Sequence, residues 1–105
     1  MHATMRRYEG VDQSRTDELK RKVTETLVPR LSELPGFSGY YLVDTRNGVM
    51  SSIGIFETSA QGDESSRVAA GWVRDEKLES ALPNPPKLTS GEIIAHKTKN
   101  GLARV

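Results

Sequence analysis

The chain has 105 residues, 15 of them basic and 14 acidic, for a net charge of +1, and its basic residues form no run or stripe, which argues against nucleic acid as a partner. It contains no cysteine, which excludes disulfides, thiolate catalysis and cysteine-ligated zinc, and no apolar run approaches the roughly 20 residues of a membrane span or forms the middle of a signal peptide, so a cytoplasmic protein with no membrane partner is expected. With 35% hydrophobic residues in one small domain that buries roughly two thirds of its unfolded surface, helices can cover one face of a sheet, and an apolar second face calls for a partner chain.

Ala3 to Tyr8 reads as a first strand, ended by Gly10 and by Asp12 and Ser14, either of which can cap a helix; Ser14 and Asp17 fit a capping box loosely. Leu19, Val23, Leu27, Leu31 and Leu34 then recur at steps of four, four, four and three, one helical stripe, with Lys20, Lys22, Glu25 and Glu33 on the other side. Pro29 removes a backbone donor within this helix, so a kink or weakened turn is expected near Thr26 to Arg30.

Pro35-Gly36 ends the helix, and Phe37 to Asp44 reads as a strand running into Asn47-Gly48, a strong two-residue hairpin signal. A plain hairpin sets Leu42 opposite Ile53 and Tyr40 opposite Ile55 on a side suited to the helices. The other side then has Val43 opposite Ser52 and Tyr41 opposite Gly54, with Met50 and Phe56. Thr58 with Gln61 suggests a capping box for a second helix over Ala60 to Ala81, whose apolar face is Val68, Trp72 and Leu82 and which Pro83, Pro85 and Pro86 end. Gly91 to Lys97 completes the pattern as a last strand. The domain therefore runs over 1–97, with 98–105 as a C-terminal tail.

Strand, helix, hairpin, helix, strand is the α+β, ferredoxin-like βαββαβ plan: a four-stranded antiparallel sheet in the order 4-1-3-2 with two helices on one face. Leu27-Val28-Pro29-Arg30-Leu31, Leu34-Pro35-Gly36-Phe37-Ser38-Gly39-Tyr40-Tyr41, a Val/Ile-rich third strand ending in Phe56-Glu57 and a Trp-bearing second helix carry the comparison further. In these features the chain resembles the antibiotic-biosynthesis monooxygenase-like members of the dimeric α/β-barrel superfamily. The resemblance implies a homodimer closed through the sheet face, a small-molecule pocket, and either cofactor-independent oxygenation of an aromatic or phenolic substrate or, as the alternative, a non-enzymatic ligand-binding or stress-associated dimer. Haem-degrading relatives pair a helix-two tryptophan with an asparagine on the first strand and a histidine further along. Here Ala3 to Tyr8 has no asparagine and Val73 to Gly91 no histidine, so no haem and no other cofactor is expected.

Candidate site residues follow from strand alternation. One of Arg6 and Arg7 must point to each face of the sheet; an inward Arg6 either holds an anionic or phenolate substrate or pairs with Glu92 or Glu57. A register that sets His2 opposite His96, Thr4 opposite Ile94 and Arg6 opposite Glu92 would bring two histidines to one face, as a general base or as solvated strand ends. No metal site is assigned, since no third ligand accompanies them. Trp72 is either a core aromatic or a pocket wall. Tyr40, Tyr41, Met50 and Phe56 would supply the walls for a flat aromatic ligand, with Ser52 or Asp44 as polar contacts; Tyr41 opposite Gly54 could equally be a packing device.

Overall fold

A computed structural model describes residues 1–97; the tail proposed for 98–105 lies outside them. Strands β1 (His2–Tyr8), β2 (Phe37–Arg46), β3 (Val49–Phe56) and β4 (Lys87–Glu92) form one antiparallel sheet in the order β2-β3-β1-β4, which read from the other edge is 4-1-3-2. The helices are α1 (Thr16–Lys22), α2 (Val28–Ser32) and α3 (Ser59–Asp75). This is the α+β ferredoxin-like fold expected from the element order.

The first helix starts where Asp12 accepts the Ser14 amide at 3.1 Å. Between α1 and α2 the rod continues without a break through a single π turn, Val23–Leu27, in which the Val28 amide reaches back five residues to the Val23 carbonyl. Pro29 sits in the first turn of α2. A proline cannot donate and its ring collides with the carbonyl a turn before it; a wider turn just ahead displaces that carbonyl and keeps the stripe in register. The expected kink is thus a π turn, and Leu19, Val23, Leu27 and Leu31 are all buried along it.

The hairpin differs from a plain two-residue one. Arg46, Asn47 and Gly48 all have positive φ (74°, 56° and 77°), and Arg46 pairs with Val49, but a bulge at Thr45 shifts the register by one. Tyr40 faces Gly54, Tyr41 faces Ile53, Leu42 faces Ser52 and Val43 faces Ser51. Because side chains alternate, one residue of slip turns β3 over relative to the expectation. Met50, Ser52, Gly54 and Phe56 are buried toward the helices, and Ile53 and Ile55 join Tyr41 and Val43 on the outer face.

Helix α3 carries the expected capping box, with Thr58 accepting the Gln61 amide and the Gln61 side chain accepting the Thr58 amide. A Cβ at Gly62 would run into the Thr4 hydroxyl, so glycine lets α3 lie close on β1. The helix stops at Asp75, short of the expected Ala81. Lys77 adopts φ 56°, the Leu78 amide bonds to Val73 O and the Lys77 amide to Arg74 O, and Leu78 is fully buried. This is a Schellman ending with its usual apolar anchor but no glycine.

Strand β4 also lies earlier than expected, because as an edge strand with six exposed residues it shows no apolar alternation. His2 pairs with Glu92, Thr4 with Ser90 and Arg6 with Leu88. His96 lies beyond the strand and is exposed, so the two histidines are not opposed.

The outer face of the sheet carries the rung Tyr41, Ile53, Met5 and Thr89 and, beside it, Gly39, Ile55, Ala3 and Gly91. Among the described residues no helix covers it, and Tyr41 is 60% exposed.

Candidate functional site

Alternation along β1 sends Thr4, Arg6 and Tyr8 toward the helices and Met5 and Arg7 outward. Arg7 is solvated and paired with Glu9 at 3.1 Å. Arg6 is only 2% exposed, the one charged side chain buried among the described residues. Its Nη1 donates a long hydrogen bond, 3.4 Å, to Ser66 Oγ on α3, while its Nε and Nη2 have no partner. Among the described residues Arg6 makes no ion pair. Glu92 faces His2 instead, and Glu57 is exposed past the end of β3. A buried charge is ordinarily compensated, so this arginine breaks the usual rule.

Around it lies a small cavity of about 20 Å³, lined by Arg6, Tyr8, Tyr40, Ser52, Met50 and Trp72 together with aliphatic side chains of the first helix. The Ser52 hydroxyl is buried and unpartnered as well. Burial pushes the Tyr8 and Tyr40 phenols above their ordinary pKa, and the adjacent Arg6 guanidinium, through its charge and its donors, draws both part of the way back, helped at Tyr40 by the Ser52 hydroxyl. Both phenols are therefore neutral at physiological pH and available as donors.

Trp72, 2% exposed, donates from Nε1 to Thr26 Oγ1 at 2.6 Å, and Thr26 in turn donates to the Lys22 carbonyl at 2.7 Å. The π turn supplies this acceptor, so the kink and the indole are one unit. Trp72 is at once a core residue and a cavity wall.

Next to the small cavity lies an open cleft of about 540 Å³ between the first helix and the sheet. Val23, Tyr40, Leu42 and Met50 line both spaces. Asp17, Lys20 and Asp44 stand along the cleft. The space beside Arg6 is of about the size of one water, and only the cleft is of a size for a flat ring.

Of the residues singled out from the sequence, Arg6, Met50, Ser52 and Trp72 come together around the cavity. Tyr41 does not: the hairpin bulge leaves it on the outer face. Phe56 faces the helices but is fully buried and packs edge-to-face on Phe37, with ring centroids 5.7 Å apart; it is core and not a wall. His96 reaches neither space. Tyr8 and Ser66 were missed, although Tyr8 follows Arg6 by two residues on a strand and so shares its face. Neither space is lined by a histidine, so the site supplies no imidazole for a haem iron. Among the described residues no three acidic or histidine side chains lie close enough to hold a metal ion.

No family model matches the sequence, and no curated protein matches it significantly. Solved structures do match in shape. A form of MhuD with two manganese protoporphyrin IX molecules bound per active site superposes with a TM-score of 0.73 at 14% identity, over 93% of this chain and 99% of that one. An antibiotic biosynthesis monooxygenase does so at 0.66 and 15%, over 90% and 100%.

The chain has the fold of the antibiotic biosynthesis monooxygenase-like proteins. A further structure of this fold, a Streptomyces coelicolor monooxygenase from the gene ActVA-Orf6 in complex with nanaomycin D, gives a TM-score of 0.63 at 19% identity, over 90% of this chain and 92% of that one. At such identities the likeness is one of fold, and fold leaves the activity open.

Proposed function

We propose that the protein binds a flat, anionic aromatic molecule with its charged group on Arg6 and its ring in the cleft, and oxidises it with dioxygen without a cofactor, as a homodimer closed over the outer face of the sheet. The observation that carries this reading is Arg6, a buried guanidinium with two nitrogens, Nε and Nη2, that lack a hydrogen-bond partner, beside a cleft of ligand size. An anion there would exchange its hydration for fixed donors, namely Arg6, the neutral phenols of Tyr8 and Tyr40, and Ser52. Apolar walls from Val23, Leu42 and Met50 suit a ring face. The Streptomyces coelicolor protein of this fold is a monooxygenase, and that likeness favours oxidation as the chemistry.

For a hydroxylated ring the reaction balances without another reductant. The ring gives up electrons to dioxygen, one oxygen atom enters the ring, and the other leaves as water with two of the substrate's hydrogens, leaving a quinone. A guanidinium and two phenol donors near the ring stabilise the electron-rich, deprotonated form of the substrate that reacts with oxygen. A dimer would cover Tyr41, Ile53 and Met5, the apolar rung that no helix reaches.

The test is oxygen uptake and quinone absorbance with a panel of naphthols, dihydroxynaphthalenes and hydroxynaphthoates. Turnover by the wild type that falls at least about tenfold in Arg6→Met, a loss of about 1.4 kcal/mol of transition-state stabilisation, supports the assignment. Equal turnover by both proteins, or none by the wild type across the panel, rejects it.

A further inference from the structure

We infer that the group this site reads is a carboxylate, which makes the ligand an aromatic acid and not a simple phenol. This rests on the reading of the cleft as a small-molecule site and specifies its ligand. Ser66 on α3 takes Nη1; the two left without a partner are Nε and Nη2. Those two lie on the same edge of the guanidinium, and their N–H bonds run parallel with the spacing of the two oxygens of a carboxylate. A single phenolate oxygen would answer one of them or share both poorly. A planar two-oxygen acceptor answers both.

The surroundings agree with that choice. The cavity at Arg6, about 20 Å³, exceeds only slightly the roughly 10–15 Å³ that one water needs, so it takes no more than the oxygen edge of a head group, and the ring stays outside in the cleft. Tyr8, Tyr40 and Ser52 line the same cavity and supply hydroxyl donors for the lone pairs that a carboxylate keeps after a bidentate contact, since each oxygen accepts twice. Neither tyrosine competes as an anion, because burial holds both phenols protonated. Ser66 then acts as a positioning residue: by holding Nη1 it turns the free edge of Arg6 away from α3.

Calorimetric titration of the full-length protein at pH 7 separates these outcomes, using 2-naphthoate, its methyl ester, 2-naphthol, and 4-nitro-1-naphthol, an anion with a single ring oxygen and no second oxygen beside it. The expected result is that 2-naphthoate binds at least about tenfold more tightly than any of the other three. Arg6→Lys keeps the charge but not the fork, and should bring 2-naphthoate to within about twofold of the one-oxygen anion. Ser66→Ala should weaken 2-naphthoate and not the ester. If the one-oxygen anion binds as tightly as 2-naphthoate, the carboxylate assignment is overturned while the aromatic-anion site stands. If none of the four binds, both fall. The wild-type ranking needs no variant, so a poorly folding Arg6→Lys would not shield the claim.

Discussion

Replacing Arg6 by methionine is expected to stabilise the fold while removing the site. Arg6 is 2% exposed, makes no ion pair among the described residues, and leaves Nε and Nη2 without acceptors. Each buried donor without a partner costs about 1–3 kcal/mol, and one water in the 20 Å³ cavity would accept from at most two of the N–H groups on these nitrogens, which leaves at least one unanswered. Against this, Arg6→Met gives up the long bond to Ser66 Oγ, worth at most about 1 kcal/mol, and fills nearly the same volume with an unbranched apolar chain. The balance is a gain of about 2 kcal/mol, inside the range found when buried ionic groups give way to apolar ones of similar size. For a domain of this length that is a rise in melting temperature of roughly 8–16 °C. Thermal and urea unfolding at one fixed protein concentration read it directly. A melting temperature that falls, or does not move, would refute the reasoning, because it would mean that the folded chain already compensates the guanidinium.

Three other outcomes follow from the same geometry. Tyr8 and Tyr40 titrate higher in the folded chain than in the unfolded one, where the value is near 10. The stability carried by their neutral forms is therefore complete below about pH 10 and is lost as pH rises through the higher folded values; Tyr8→Phe with Tyr40→Phe should flatten the loss of urea resistance between about pH 9 and 11, and an unchanged slope would contradict the burial of the phenols. Thr26→Val leaves the Trp72 indole N–H without its acceptor in the interior, which should cost about 1–3 kcal/mol in unfolding followed by the fluorescence of the sole tryptophan, with Thr26→Ser restoring most of it. Ile53→Glu places a carboxylate on the apolar rung beside Tyr41 and Met5 and should convert a dimer to a monomer in light scattering. A variant that still sediments as a dimer would rule out that face as the interface.

How much of this could be read beforehand depends on which signals are local. The first helix, the Asn47-Gly48 turn and the Thr58/Gln61 cap are set by residues within a turn of one another, and they stand where the pattern put them. The Thr45 bulge has no such signature, since it needs only Arg46 to accept positive φ, and that residue does not advertise the conformation as glycine would. One inserted residue was enough to exchange the faces of β3 and so to part Tyr41, which stays on the face away from the helices, from Met50, Ser52 and Phe56. Strand β4 was displaced for a related reason: an edge strand exposed on both faces has no periodicity to read, and the apolar Ile93-Ile94 pair drew the strand toward the C-terminus. The Lys77 helix end likewise uses a lysine where glycine is the usual signal.

The arginine was half legible, and the half that was missing is the informative one. Alternation guarantees that either Arg6 or Arg7 faces inward, but whether the inward one meets a carboxylate depends on the register of β4, which brings Leu88 and not Glu92 beside it. A domain of this size has a net stability of only about 5–15 kcal/mol, so an uncompensated buried charge takes up an appreciable part of it. Local rules are broken in this way chiefly where function requires it. A leucine or methionine at position 6 would complete the core that Leu27, Met50 and Trp72 begin. An arginine there, tethered by one nitrogen and open along one edge, is poorly explained as packing and well explained as a site whose missing partner is the ligand. The predicted stability gain of Arg6→Met and the predicted loss of ligand binding are thus two readouts of a single physical fact, and each constrains the other.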